Sequence, residues 1–258
     1  MKKEGHLIHK VWNSFNNIYS QNPTAIDLAQ LQKLRDSLFC PGLFYYYVVD
    51  WSLRECSYVD ESVSRFYGID PDNFSFENVL KGIHPDDLLF VEACEKTVYS
   101  FLYEFIDPID QPFYKRIYCI RLKNHSGEYK LISHQAITLS TDEAGKTAHV
   151  LNVHTEIDHL VSTNNRKISF IGMDDRPSYF GVDPFNPQFG RDGGSNVFTK
   201  RELDIMKLLA NGDSTEEIAD QLCISPNTVR THRNNILDKS DCRNMTQLIS
   251  KCVREGLI

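Results

Sequence analysis

From Phe198 onward the chain repeats one local signal at short intervals: a small polar residue, then, three positions later, a side chain able to reach back to it. Thr199 precedes Glu202, Ser214 precedes Glu217 and Asn244 precedes Gln247, while Ser225 is followed at once by Pro226. These are helix starts. A helix leaves its first N–H groups without partners, a hydroxyl or amide at the cap accepts from one of them, and proline suits the first turn because it has no N–H to satisfy. An all-α unit of four helices follows. The first puts Leu203, Ile205, Met206, Leu208 and Leu209 on an apolar face and stops at Asn211-Gly212. The second spans about residues 215–222 with Ile218, Ala219 and Leu222 inward, and only Cys223-Ile224 separates it from the next cap. The third, about residues 226–239, turns Val229, Ile236 and Leu237 inward. Its other face carries Asn227, Arg230, Thr231, Arg233 and Asn234, cations and hydrogen-bonding groups in place of the Glu/Lys pairs of an ordinary solvated helix.

The block Phe198-Thr199-x-Arg201-Glu202, Gly212, Glu217-Ile218-Ala219-x-x-Leu222, Ser225-x-x-Thr228-Val229-x-x-His232 and Ile236-x-x-Lys239 resembles the LuxR/FixJ-type DNA-binding domain of bacterial transcription regulators. The resemblance implies a third helix in the major groove of double-stranded DNA and a fourth, from about Met245, that supports a homodimer. Carried over by position, Arg230, Thr231 and Asn234 face bases. Ser225, Asn227, Thr228, Arg233 and Lys239 lie on the phosphate side or at the cap, His232 is partly buried, and Thr199 and Glu202 are a cap and its partner. Two departures from the family stand out: Lys239-Ser240-Asp241 stands where Lys-Leu-Gly is usual, and Met245 stands where an Arg is common. They keep open an alternative, a protein-interaction or ligand-binding signalling module with a weakened DNA surface.

Charge supports DNA binding only through local placement. Residues 197–258 hold nine Lys or Arg against nine Asp or Glu, so the net charge of −7 belongs wholly to residues 1–196.

Residues 44–157 read as two strands, a group of helices and three strands. Residues 43–49 and about 56–59 form a first hairpin around Asp50-Trp51-Ser52. Helices follow at about 61–67, 76–82 and from Pro85 to Phe105, and strands at 114–122, 128–139 and 147–157 are joined by His125-Ser126-Gly127 and Asp142-Glu143-Ala144-Gly145. Alternating βαβ units are excluded by that order. With Ile83-His84-Pro85-Asp86-Asp87 before the long helix and Lys123-x-x-Ser126-Gly127-Glu128-Tyr129 in a hairpin, the segment resembles a PAS domain. The resemblance implies a sensor with a pocket between sheet and helices, for a small-molecule ligand or a protein partner not named by the sequence. His84, Asp86 and Asp87 read as capping residues rather than a metal or acid–base group. Phe44, Tyr45, Tyr46, Tyr47, Phe66 and Tyr67 read as core aromatics, with a pocket lining as the rival reading. His134, Asn152 and His154 fall on strands with their facing open.

The fold class expected is therefore α+β: a PAS-like five-stranded antiparallel sheet with helices, plus a separate four-helix helix-turn-helix domain. The expected divisions are an N-terminal helical extension (1–39), the sensor (40–160), a connector (161–196) and the DNA-binding unit (197–258). The extension carries Leu7, Val11, Trp12, Phe15 and Ile18 on one face and Ile26, Leu31, Leu34 and Leu38 beyond Asn22-Pro23, apolar faces that need a partner. The connector ends near Gly193-Gly194-Ser195, and its Tyr179, Phe180, Phe185 and Phe189 make it too aromatic for a floppy linker, so an ordered, largely extended segment resting on a domain is expected.

No enzyme motif, phosphate loop or nucleophile constellation stands out, and the parallel repeat of a receiver domain is missing. Seven cysteines with no CxxC pair, and His149, His154 and His159 at a spacing of five, give no metal site. Neither a photoreceptor cysteine motif nor a histidine on the long helix supports flavin or haem, so no cofactor is expected. The longest apolar run, residues 43–49, is far short of a membrane span, and Lys2-Lys3 leads into no apolar stretch, so a cytoplasmic protein away from membranes is expected.

Overall fold

The computed structural model describes residues 7–22, 24–27, 29, 31–32, 40, 42–174, 176–189, 198–240 and 242–255. Helix α1 (Leu7–Ser14) buries Ile8, Val11 and Trp12. Strands β1 (Phe44–Asp50) and β2 (Glu55–Val59) form the first hairpin. Short helices α2 (Val63–Tyr67) and α3 (Phe76–Gly82) follow, then α4 (Leu88–Tyr99), which continues as a π-helical turn over Ser100–Phe105. Strands β3 (Tyr114–Lys123), β4 (Tyr129–Thr141) and β5 (Thr147–Glu156) complete an antiparallel set ordered β2-β1-β5-β4-β3. Helices bridge the middle of the chain order and the sheet is wholly antiparallel, the arrangement expected of a PAS-like module.

The sheet then gains two strands from the stretch expected as a connector. Strand β6 (Ile168–Gly172) pairs with β3, and β7 (Tyr179–Val182) pairs with β6. Their aromatics explain the docking: Phe170 stacks on Phe101 at 3.9 Å between centroids, and Tyr179 and Phe189 meet the same ring edge-on at 5.1 Å. Gly193-Gly194-Ser195, Asp241, Leu34 and Leu38 lie outside the described residues.

Both faces of β1 are covered, which is why its sequence is a continuous apolar run and not an alternating one. Tyr45, Tyr47 and Val49 face the helices, while Tyr46 and Val48 pack with Leu31, Leu139, Leu151 and Val153 on the other side.

The C-terminal unit consists of α5 (Lys200–Ala210), α6 (Thr215–Gln221), α7 (Pro226–Ser240) and α8 (Met245–Glu255). Reciprocal capping boxes start α5 (Thr199 with Glu202) and α6 (Ser214 with Glu217). Gly212 makes the turn between them with φ of +92°, a left-handed conformation that costs glycine little. Ile205, Met206, Ile218, Val229, Ile236, Leu248 and Cys252 close the core, each essentially inaccessible to solvent. That cluster continues without a break into Cys119, Leu131, Ile157 and Val161 of the sheet module, and Ser250 Oγ donates to the Leu160 carbonyl at 3.2 Å. The helix expected to pair two copies therefore rests on the sensor of its own chain.

Candidate nucleic-acid interface

The α6–α7 turn, residues 222–225, is set by its two middle residues. Cys223 takes φ of +53°, and Ile224 N–H donates to the Ala219 carbonyl at 2.9 Å, so the chain reverses within one turn. Ser225 Oγ then accepts from Thr228 N–H at 3.0 Å and lies 2.8 Å from Thr228 Oγ1, which fixes the start of α7. Val229 and Ile236, buried to zero exposure seven residues apart, hold α7 against the core and leave the opposite face outward.

On or beside that face the structure places Ser225, Asn227, Thr228, Arg230, Thr231 and Asn234, all exposed. Ser225 and Thr228 are spent on the cap. Asn227 Oδ1 accepts from Arg230 at 2.8 Å, and Arg230 NH2 also reaches Glu216 Oε1 of α6 at 3.1 Å, so the guanidinium is held across the turn. Thr231 Oγ1 donates to the Asn227 carbonyl at 3.1 Å. Arg233 is half-buried, its NH1 donating to Thr215 Oγ1 at 2.8 Å, so it braces α7 against α6. His232 is half-buried as well.

Lys239 sits at the far end of α7, where Nζ donates to both carboxylate oxygens of Glu202 at 2.7 and 2.9 Å. Burial raises the Glu202 carboxyl, and the bonds from Lys239 and from Thr199 outweigh it, holding the group below its ordinary value. Ser240, which stands at the expected site of an apolar anchor, is buried. Its Oγ donates to the Leu237 carbonyl at 2.9 Å and accepts from Cys242 N–H at 3.2 Å, closing the end of α7. Met245 packs against the core, and Lys251 Nζ donates to the Ser240 carbonyl at 3.1 Å, bringing a cation to the same turn.

In the sensor module the capping reading of the His-Pro-Asp-Asp segment holds for His84, whereas the Asp87 side chain makes no cap bond and is taken by an arginine. His84 Nδ1 accepts from Asp86 N–H at 3.2 Å, and Asp87 is fully buried with Arg121 clamped on it through Nε at 3.0 Å, NH2 at 2.7 Å and backbone N–H at 2.9 Å. Burial raises the Asp87 carboxyl, and the Arg121 hydrogen bonds overcome it, leaving a net fall. Among the described residues no group of three His, Cys, Asp or Glu side chains is placed to hold a metal ion.

His134 and His154 do point inward, as does Asn152. Tyr67 and Tyr45 share a hydroxyl contact at 3.1 Å, Tyr45 OH lies 2.7 Å from His154 Nδ1, and His154 Nε2 lies 2.7 Å from His134 Nδ1, a buried polar chain across three strands. Burial drives the His134 imidazole down to about 3, with Arg116 adding to the fall, and pushes His154 well below its usual value. Both rings are neutral at ordinary pH. They border a cavity of about 80 Å³ between sheet and helices. Of the six aromatics singled out in the sequence, Tyr47 alone lines it; the others are core or outer-face residues. Sequence reasoning gave Trp12 and Trp51 no part in a pocket and did not name Glu95 or Arg116, and all four line the cavity. A cation amid apolar residues at strand spacing, Tyr114-x-Arg116-x-Tyr118, was the signal available for the last.

No helix of the described residues is long and apolar enough to cross a membrane. Residues 196–252 match the family model of bacterial regulatory proteins, luxR family. The chain is 39% identical over 61 residues to the uncharacterized transcriptional regulatory protein YxjL of Bacillus subtilis, covering 24% of this chain and 28% of that one. It is 31% identical over 112 residues to the uncharacterized response regulatory protein YgeK of Escherichia coli, covering 43% of this chain and 69% of YgeK. The chain thus spans little more than a quarter of YxjL and about two thirds of YgeK. A solved PAS domain from Colwellia psychrerythraea is similar over 49% of this chain and 97% of its own, at 16% identity and a TM-score of 0.35. With two thirds of a regulator matched at this identity, and the capped helices, the tight turn and the outward face of α7 in place, this chain belongs to the luxR family of bacterial regulatory proteins.

Proposed function

We propose that this regulator binds double-stranded DNA as a homodimer through α7, and that a signal received in the PAS-like module governs when it does so. The observation that carries the reading is the outer face of α7: Asn227, Arg230, Thr231 and Asn234 form one exposed strip, which the exposed Asp238 ends one turn further on. Arg and Asn present the donor and acceptor pairs that guanine and adenine edges accept in the major groove, and Thr offers a hydroxyl and a methyl. Arg230, Thr231 and Asn234 read bases, Asn227 contacts backbone, Ser225 and Thr228 cap the helix, and Arg233 and Lys239 set its pose. The expected domain limits are kept, with β6 and β7 of the connector serving the sensor sheet. The protein acts in the cytoplasm, by binding and not by catalysis.

Control is supported by the contact between α8 and the sensor. The surface that family resemblance gives to dimerisation is covered by Leu131, Ile157 and Val161 and pinned by Ser250. A signal that favours release of α8 shifts the population toward a pair of DNA-binding units.

The test is a titration of the full-length protein with DNA from its own upstream region at several salt concentrations, beside Arg230→Ala and Asn234→Ala. Sequence-preferring binding that weakens with salt and is impaired by both substitutions supports the reading. Absence of DNA binding at every salt, by the full chain and by residues 197–258 alike, overturns it in favour of the interaction module.

A further inference from the structure

The cavity in the sensor has a floor built from one cross-strand row. Tyr47 on β1 pairs with Asn152 on β5, Asn152 with Ala136 on β4, and Ala136 with Arg116 on β3. Neighbouring strands lie about 4.8 Å apart, so Asn152 and Arg116 rise about 10 Å from each other with only a methyl group between them. Ala136 is the notch that makes the space.

The charges around this notch are unusual. Arg116 is 6% exposed, and its one hydrogen bond among the described residues runs from NH1 to Thr138 Oγ1 at 3.2 Å. No carboxylate of a described residue lies within 4.0 Å of it, although a buried guanidinium normally has such a partner. Across the cavity Glu95 projects from α4, its Oε2 accepting from Trp12 Nε1 at 2.8 Å and its Oε1 from Tyr118 OH at 3.0 Å. The cation and the anion thus face one space without touching. Two further donors in the lining, Tyr47 OH and Trp51 Nε1, are buried with no hydrogen-bond partner. A buried polar group left without a partner is destabilising, so orphans gathered in one cavity point to a ligand that satisfies them.

The donor surplus at Arg116, Tyr47 and Trp51 asks for a strong acceptor. The carboxylate of Glu95, together with the rings of Trp12, Trp51 and Tyr19, asks for a cation. A ligand carrying only an acid would meet Glu95, and one carrying only a base would meet Arg116. On this measure a water takes about 10–15 Å³, so about 80 Å³ holds roughly five to eight atoms of that size. We infer that the sensor cavity binds a small zwitterion, a free α-amino acid with a compact apolar side chain, its carboxylate toward Arg116 and its ammonium toward Glu95. The inference rests on the reading of this module as a sensor and names the class of molecule it senses.

Both tryptophans of the chain line the cavity, so intrinsic fluorescence of the full-length protein reports occupancy directly. The probes are L-alanine, L-threonine, L-valine and L-leucine, with isovalerate and isobutylamine as the valine analogues lacking the ammonium or the carboxylate. At least one amino acid is expected to shift the emission saturably at millimolar concentration or below, and to bind about tenfold or more tighter than its single-charge analogues, a difference of about 1.4 kcal/mol. Arg116→Gln is expected to abolish the response. Glu95→Gln is expected to narrow the gap between amino acid and carboxylate, which a merely structural defect would not do. Equal binding of isovalerate or isobutylamine, or silence from all four amino acids with wild-type protein, overturns the inference whether or not the variants fold. DNA titration with and without the bound amino acid tests the regulatory reading separately: binding without any change in DNA affinity leaves the zwitterion site standing and removes its control of α7.

Discussion

Lys239 Nζ lies 2.7 Å from Oε2 of Glu202, joining the last turn of α7 to the cap of α5. Glu202 is 3% exposed and also accepts from Thr199 N–H at 2.7 Å, so one carboxylate holds both the start of the first helix and the end of the third. Removing the ammonium leaves that carboxylate short of a charged donor, which costs about 1–3 kcal/mol. Lys239→Met is therefore expected to lower the unfolding midpoint of the C-terminal unit. Paired with Glu202→Gln, it should show a non-additive double-mutant cycle in urea melts. If Lys239 instead serves DNA alone, the substitution leaves the melt untouched and reduces the salt slope of binding by about one.

Arg230 is restrained before DNA arrives. Its contact with Glu216 joins two exposed groups, a pair worth at most about 1 kcal/mol, so it is easily exchanged for a base. Arg230→Ala is expected to cost about 1–3 kcal/mol of specific DNA affinity and to relax the preference at one base position. Glu216→Gln frees the guanidinium and removes an anion from the DNA-facing side, and should strengthen binding a few-fold at low salt. Unchanged affinity in both variants would place the base-reading surface elsewhere on α7.

How far such detail was legible in the sequence depends on whether the signal is local. The capping pairs at Thr199 and Ser214 and the Ser225-Pro226 start are fixed by residues three apart, and each stands where its spacing indicates. The five sensor strands were likewise readable from alternation and turns. Strands β6 and β7 were legible only as an ordered, extended stretch resting on a domain, because Ile168–Gly172 and Tyr179–Val182 are too short to show a period, and their pairing depends on the free edge of β3 and the Phe101 ring. The cavity was hidden for a similar reason. Its row of Tyr47, Asn152, Ala136 and Arg116 comes from four strands, and no window of sequence contains two of them in register.

Asp87 gives the sensor an acid limit. Its folded pKa lies below the unfolded value, so the unfolded state binds the proton more readily. The Arg121 clamp then contributes its full stability above about pH 4 and loses it as pH falls through the lowered folded value. Urea midpoints of wild-type protein should drop between about pH 4 and pH 2 by more than those of Asp87→Asn, which is weaker at neutral pH and flatter below. Parallel curves would show that the clamp contributes nothing to folding.

The buried histidines act in a higher window. Each has a folded pKa depressed below the free imidazole value, His134 to about 3, so the neutral fold is fully stable above about pH 6.5 and weakens as pH falls from there. Nitrogen-detected NMR of labelled protein should show two imidazoles that do not titrate between about pH 5 and pH 8, each holding one tautomer set by the Tyr45–His154–His134 chain. Titration of both near 6.5 would mean that the chain is open to water.

Leu131 links sensor state to DNA-binding state in one testable position. It is 5% exposed on β4, inside the apolar cluster that also holds α8, while its backbone N–H donates to Asp158 at 2.7 Å and so is secured independently of the side chain. Leu131→Gln keeps that backbone bond but puts an amide where α8 packs, which favours release of the C-terminal unit over the docked arrangement. A shift of about 1–2 kcal/mol in that equilibrium raises the released population several-fold to about thirtyfold, provided the docked form dominates. Full-length Leu131→Gln should accordingly bind DNA more tightly than wild type and show a larger dimer fraction by sedimentation, with its sensor melt little changed. DNA affinity equal to wild type, alongside increased amide exchange in α8, would show that the docked contact is broken without consequence and that control runs through some other element.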